Sequence, residues 1–528
     1  MLILQNISYV HPNKDLLFQH INLTVQDNDK IALIGNNGSG KSTLLKIIAG
    51  ELPPASGYLQ RGEKPYYIPQ IFGQFNHLTV AEALNVHGKI KALNAIINGS
   101  IDEQDFHDLN DDWTIEERCT EALVYWQLEK VSLLQKMETL SGGQKTKVFL
   151  AGIKIHQPSL ILLDEPSNHL DNAARTQLYE LAKNTKAAFI VVSHDRTLLN
   201  LFNSISELTG NGINSYGGNY EFYLEQKALE NNARMQSLEE TEKAVRKAKE
   251  KERETIERQQ KLDSRGKKKS EKAGVAKIMM NTLRNNAEQS TSKLKSVHNE
   301  KIGGLNQDLK DKRDAIPDID KMKFGFNHSN LHKGKMLFSA TNINIIYGNK
   351  KLWKDNLNIE IFSGERLAIK GSNGSGKTSL INIITGKIKT GTGNTFNAVN
   401  KWYYIDQDYS LIDNSLNVYE QAQKYNTSNL QEHEVKIRLN RFLFDKTVWD
   451  KSCKSLSGGE RMRLMLCCIT LSNTAPELLI FDEPTNNLDI QNIEILTKAI
   501  NEYEGSLIVV SHDEYFLKEI NVNKEIQL

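Results

Sequence analysis

One short pattern occurs twice in this chain and leaves few folds open. Residues Gly35, Asn36, Asn37, Gly38, Ser39, Gly40, Lys41, Ser42 and Thr43 follow the apolar run Ile31–Ile34. Residues Gly371, Ser372, Asn373, Gly374, Ser375, Gly376, Lys377, Thr378 and Ser379 follow Leu367–Ile369 in the same way. Both fit G-x-x-x-x-G-K with Ser or Thr next, and both lead into an apolar helical run. The pattern predicts strand, glycine-rich loop and helix. Backbone N–H groups of such a loop, with the helix N-terminus, form a nest for phosphate oxygens. Lys41 and Lys377 would reach the outer phosphates, and the Ser42 and Thr378 hydroxyls would ligate Mg²⁺.

The repeat extends beyond the loops. Leu160–Asp164 and Leu478–Asp482 are apolar runs that end in a carboxylate, each followed by a second carboxylate and Pro. Such a run predicts a buried parallel strand with acids at its carboxyl tip, where α/β sheets place ligands. Asp164 and Asp482 would hold Mg²⁺, while Glu165 and Glu483 would polarise an attacking water. Upstream lie Ser141, Gly142, Gly143, Gln144 and Ser457, Gly458, Gly459, Glu460, each before a helical stretch. Downstream, another apolar strand ends in Ser193-His194-Asp195 or Ser511-His512-Asp513.

Six features in one order, twice, resemble the ATP-binding cassette. The flanks, about 1–220 and 335–528, carry the likeness. Two cassettes on one chain with a charged helical linker resemble the ABC-F family. The resemblance implies an α/β fold: two P-loop NTPase domains of the cassette type joined by a long antiparallel helical hairpin. The expected domains are 1–221, a linker 222–334 and 335–528. It implies an ATPase in which the cassettes close head-to-tail on two ATP molecules. Ser141, Gly142, Gly143 and Gln144 would then act in trans on the second site, and Ser457, Gly458, Gly459 and Glu460 on the first. Gln70 and Gln407 match the Q-loop and join the metal set. His194 and His512 match the switch histidine. Tyr347 fits the adenine-stacking aromatic of the second copy; in the first, His11 is preferred by spacing over Tyr9. Asn487 stands where the family commonly has His, and Ser167 where it has Thr. Both sites keep Lys, Glu and His, so both are expected to hydrolyse ATP.

Charge is uneven along the chain. Between Lys243 and Lys301 there are 18 Lys/Arg against 8 Asp/Glu, in a protein of net charge +1. The stretch is rich in helix formers, and its sparse apolar residues at spacings of three or seven predict two helices. Asp263–Gly266 is the expected turn, with a tip at about 263–272, and the second helix should end before Pro317. Gly303-Gly304 should weaken or kink it. Arg265, Lys267, Lys268 and Lys269 crowd the tip, where like charges favour a polyanion such as RNA. A solvated helical face is the other reading of such a run. The resemblance implies the ribosome as partner, through rRNA and P-site tRNA, near the peptidyl-transferase centre. It leaves a translation factor and an antibiotic-resistance factor both open. DNA repair and a transporter's ATPase subunit are the alternatives.

The acidic segment Ile97–Trp113 is expected to belong to a helical subdomain. Cys119, Cys453, Cys467 and Cys468 have neither metal-ligand nor disulfide spacing, which suits a reducing cytoplasm. No stretch approaches 18 apolar residues, so membrane insertion is not expected. The expected state is a monomer with an intramolecular cassette dimer.

Overall fold

The computed structural model describes the chain except residues 169, 273–276, 315–321, 323–331, 333, 349, 373 and 487. The side chains of Tyr347, Lys267, Lys268 and Lys269 also lie outside the described set, as does Asn373. Met1–Tyr223 and Met322–Leu528 form one compact unit, and Leu224–Lys321 forms another.

Each cassette is built on a parallel sheet. In the first the order is Tyr66–Ile68, Leu160–Asp164, Ala188–Val192, Lys30–Ile34, Ser204–Thr209 and Gly212–Gly217. Only the last pairing is antiparallel. In the second it is Trp402–Ile405, Leu478–Asp482, Ser506–Val510, Arg366–Lys370 and Lys524–Gln527, all parallel. A three-stranded antiparallel sheet accompanies each, made of Leu2–Val10, Leu16–Val25 and Ser56–Arg61 in the first. The central strands are apolar throughout because both sheet faces are covered: Leu160–Asp164 and Ala188–Val192 are buried at every position. Each such leucine or valine contributes about 1.5–3 kcal/mol of burial.

Register sets the function. Leu33 and Asp164 both pair with Val192. Ile369 and Asp482 both pair with Val510. The carboxyl ends of three adjacent strands therefore finish together, delivering the glycine loop, the carboxylate pair and the histidine to one edge.

Helices cover the sheets. The expected helical subdomain in the first cassette includes His87–Ile97, Glu103–Leu109 and Ile115–Tyr125. Within the acidic segment, Asp102 caps Glu103–Leu109 by accepting from the Gln104 N–H at 3.0 Å. The four cysteines are buried and free. Among the described residues no helix is long and apolar enough to cross a membrane.

The linker departs from expectation at its turn. The first long helix runs Tyr220–Lys272, straight through Asp263–Gly266, and the second runs Lys277–Asp314. One glycine costs a helix only about 1 kcal/mol, and strong helix formers flank it on both sides. Lysines in the last turns also complement the helix dipole. Gly303-Gly304 likewise lies inside continuous helix. Lys312 Nζ donates to Thr241 Oγ1 at 2.8 Å, and Arg313 donates to Glu242 at 2.6 Å. From Thr241 to Lys272 is about 47 Å of helix, and from Lys277 to Lys312 about 53 Å. Matched lengths that end side by side make the pair antiparallel.

Candidate functional site

The glycine loops are shaped by backbone requirements. Gly40 and Gly376 cap the helices Lys41–Ala49 and Lys377–Ile384 with φ of 97° and 95°. A Cβ on Gly40 would lie 2.7 Å from the Phe18 ring, and one on Gly376 2.7 Å from Leu352. Only glycine meets both demands. Lys41 Nζ donates to the carbonyls of Gly35 and Asn36 at 2.7 and 3.1 Å. Lys377 does the same to Gly371 and Ser372 at 2.7 and 3.2 Å. Burial pulls the Lys41 ammonium below its usual range, opposed by Glu165, Asp489 and Asp164.

A cavity of about 430 Å³ opens beside the first loop. Asn37, Gly38, Gly40, Lys41, Ser42 and Thr43 line one side; Gln70, Asp164, Glu165 and His194 line another. His11 and Leu17 are on its wall. Tyr9 instead packs against Phe18, its ring centroid 6.2 Å away. Ser457, from the second cassette, completes the lining. Of the second cassette's four signature residues, only Ser457 reaches this wall.

Local chemistry explains why. Ser457 caps the helix Gly458–Thr470 in a capping box with Glu460, and Ser141 caps Gly142–His156 with Gln144. Gln144 and Glu460 accept from the serine N–H groups at 2.9 and 2.8 Å, so their side chains serve the cap. Gly459 is buried, and a Cβ there would meet Asn492 at 2.2 Å. The S-x-x-Q and S-x-x-E spacings signal these caps in the sequence itself.

The carboxylates carry strain and a burial penalty. Glu165 and Glu483 have φ of 52° and 50°, the left-handed region, rare for a side chain of this size. Their N–H groups donate to Val192 and Val510 carbonyls at 2.8 Å, which hold them there. Glu165 is pushed well above the carboxylate range, first by burial and then by Asp164. Burial pushes Glu483 up to about 7, offset by Arg175 and Lys377. His194 Nε2 lies 3.2 Å from Glu165 Oε1, and His512 Nε2 3.4 Å from Glu483 Oε1. Burial, then the nearby lysine, pushes both histidines down, His512 to about 4. Both rings are therefore neutral at physiological pH. Asp164 and Asp482 are raised by burial. Tyr67 and Tyr404 place their hydroxyls on those aspartates, at 3.5 and 2.8 Å.

The site fits a polyphosphate with a cation. Asp164 Oδ1 and Glu165 Oε1 are buried acceptors with no hydrogen-bond donor, and the Ser39 and Ser375 hydroxyls are buried without partners. Buried acceptors of this kind are satisfied by a cation, and loop hydroxyls by phosphate oxygens.

Asp489, which ends the second copy's Asn486–Asp489 match to the family's D-loop, acts across the cassettes, as do Asn172 and Arg175, which no motif includes. Asp489 Oδ2 accepts from the Asn37 N–H at 2.7 Å. His512 Nδ1 lies 2.9 Å from Asn172 Oδ1. Arg175 supplies positive charge to the second site. Ile490 and Ile493 stand at the corresponding positions of the second copy, so the two sites are electrostatically unequal. Comparing Asp171-Asn172 with Asp489-Ile490 would have found this.

Glu483 makes a test of the burial. Its folded value is about 7 against an ordinary 4.5, so the folded protein holds a proton that the unfolded chain has released. Its stabilising contribution is complete below about pH 4.5 and lost as pH rises through 7, on the order of 3 kcal/mol. Glu483→Gln is expected to raise the melting temperature of the nucleotide-free protein by a few degrees at pH 8 and by almost nothing at pH 5. Scanning calorimetry at both values checks it.

The ABC transporter family model matches residues 18–168 and 354–486. Over 526 residues the chain is 30% identical to ribosome protection protein VmlR of Bacillus subtilis (strain 168), covering 99% of this chain and 85% of that one. It is 29% identical over 534 residues to ABC transporter F family member 5 of Arabidopsis thaliana, 96% of this chain and 71% of that one. The solved structure of the archaeal ribosome recycling factor aABCE1, in complex with ribosomal stalk protein aP1, is similar with a TM-score of 0.58 at 19% identity. That likeness covers 98% of this chain and 86% of that chain, and it is a likeness of fold. Two family matches, and a 30% identical relative spanned over most of its length, place this chain in the ABC-F family of ATP-binding cassette ATPases.

Proposed function

We propose that this protein is a cytoplasmic ATPase that binds the ribosome and drives its basic helical linker toward the peptidyl-transferase centre. The observation that carries the ATP-driven part is Ser457 on the wall of the first cassette's cavity. Closure would place ATP with Mg²⁺ between each glycine loop and the opposite signature serine. Lys41 and Lys377, with the loop N–H groups, bind the outer phosphates. Ser42, Gln70 and Asp164, and Thr378, Gln407 and Asp482, hold Mg²⁺, which supplies charge neutralisation on the phosphates. Glu165 and Glu483 orient the attacking water and accept its proton. His194 and His512 contact the terminal phosphate. His11 and Tyr347 stack on adenine, and Ser141 and Ser457 donate to the terminal phosphate in trans.

The ribosomal part is supported by a relative named for ribosome protection and by the linker's charge of 18 Lys/Arg against 8 Asp/Glu. Arg265, exposed in the last turns of the first long helix, and Lys267, Lys268 and Lys269 would neutralise rRNA phosphates, with P-site tRNA as neighbour. The Glu165→Gln, Glu483→Gln double variant is expected to cosediment with ribosomes in ATP and to be lost in its absence. Its affinity should fall steeply with salt, since each neutralised phosphate releases counterions. Sedimentation that ignores ATP, or binding insensitive to salt, would overturn this reading. A drug-susceptibility panel in a sensitive host separates resistance from general translation.

A further inference from the structure

Both copies place a tyrosine three residues before the Q-loop glutamine, at the carboxyl end of the edge strand Tyr66–Ile68 or Trp402–Ile405. In parallel register that strand lies beside the one that ends in the aspartate. Tyr67 and Tyr404 are part-buried, and each hydroxyl is aimed at Oδ2 of its aspartate, at 3.5 and 2.8 Å. In the first copy the aspartate's other oxygen, Oδ1, is buried with no hydrogen-bond donor. That aspartate also lines the cavity beside Lys41 and Ser42. A carboxylate rotates freely about its Cβ–Cγ bond unless one oxygen is tied.

We infer that Tyr67 and Tyr404 are positioning residues for Mg²⁺: each phenol pins Oδ2 of its aspartate so that Oδ1 is presented to the cation. The inference rests on the proposed role of Asp164 and Asp482 in the metal set. It also ranks the sites. The 2.8 Å bond of Tyr404 is a full hydrogen bond, whereas 3.5 Å at Tyr67 is a weak one. Losing a hydrogen bond to a charged group is worth about tenfold or more.

The test compares full-length wild type with Tyr404→Phe, Tyr67→Phe and Asp482→Asn, in binding of a fluorescent ATP analogue with excess Mg²⁺ and with EDTA. The quantity read is the ratio of the two Kd values. Tyr404→Phe is expected to shrink the tightening by Mg²⁺ about tenfold, and Tyr67→Phe about twofold, with binding in EDTA unchanged. Phe keeps the ring, so a merely structural tyrosine would leave the ratio alone. Equal losses with and without Mg²⁺ would overturn the inference. An unchanged ratio in Tyr404→Phe beside a collapsed one in Asp482→Asn overturns the tyrosine's role alone. An unchanged ratio in Asp482→Asn removes the aspartate's metal role and the tyrosine's with it.

Discussion

The double replacement of Glu165 and Glu483 by glutamine is expected to lower ATP turnover by about 10²–10⁴-fold while ATP still binds. Glutamine keeps the shape of each side chain and removes its ability to take a proton. The loop lysines and the N–H nest are untouched, so phosphate binding persists. The glutamates are suited to base chemistry because burial lifts Glu483 to about 7, near the pH at which it would act. The neutral histidine beside each carboxylate adds no charge that would pull its value back down. Single variants should be unequal, since Arg175 offsets burial at Glu483, whereas Lys41 is the offsetting cation at Glu165. Steady-state phosphate release with a parallel nucleotide-binding assay checks the result. Turnover within threefold of wild type in the double variant would remove both residues as bases.

Asp489→Ala is expected to lower stability strongly at the interface between the cassettes. The residue is 3% exposed. Its Oδ1 accepts from the Asn492 N–H at 2.8 Å and so caps the helix Ile490–Glu502. Its Oδ2 accepts from the Asn37 N–H at 2.7 Å, on the first glycine loop. Loss of the cap costs about 1 kcal/mol, and loss of a hydrogen bond to a charged group about 1.5–3 kcal/mol. Asp489→Asn separates the two: its amide oxygen still caps the helix, but its NH₂ then faces the Asn37 N–H. Asparagine should melt closer to wild type than alanine, yet show reduced turnover because donor meets donor at the loop. Equal melting temperatures for the two variants would mean that the cap contributes nothing.

Much of the site was legible because it is built from local backbone demands. A loop that must hold Gly40 and Gly376 at positive φ announces itself in glycine spacing. A strand buried on both faces must be apolar, and an acid at its tip stands out against that run. The S-x-x-Q and S-x-x-E caps are four-residue hydrogen-bond circuits. The linker's turn is not where its local sequence puts it: the first long helix runs through Asp263–Gly266. Gly266 looks like a break in isolation, but its cost of about 1 kcal/mol is small beside the helix it interrupts.

By itself, the sequence determined the two glycine loops, the paired acids, the signature caps and, through their order, the family. Tertiary structure decided the rest. Asn37 meets Asp489 across 452 residues, and His512 meets Asn172 across 340. It also decided that both glutamates sit in the left-handed region and that the second site receives Asn172 and Arg175. Motifs encode hydrogen bonds that close within a few residues, whereas these contacts exist only once two separately folded sheets present their edges to each other.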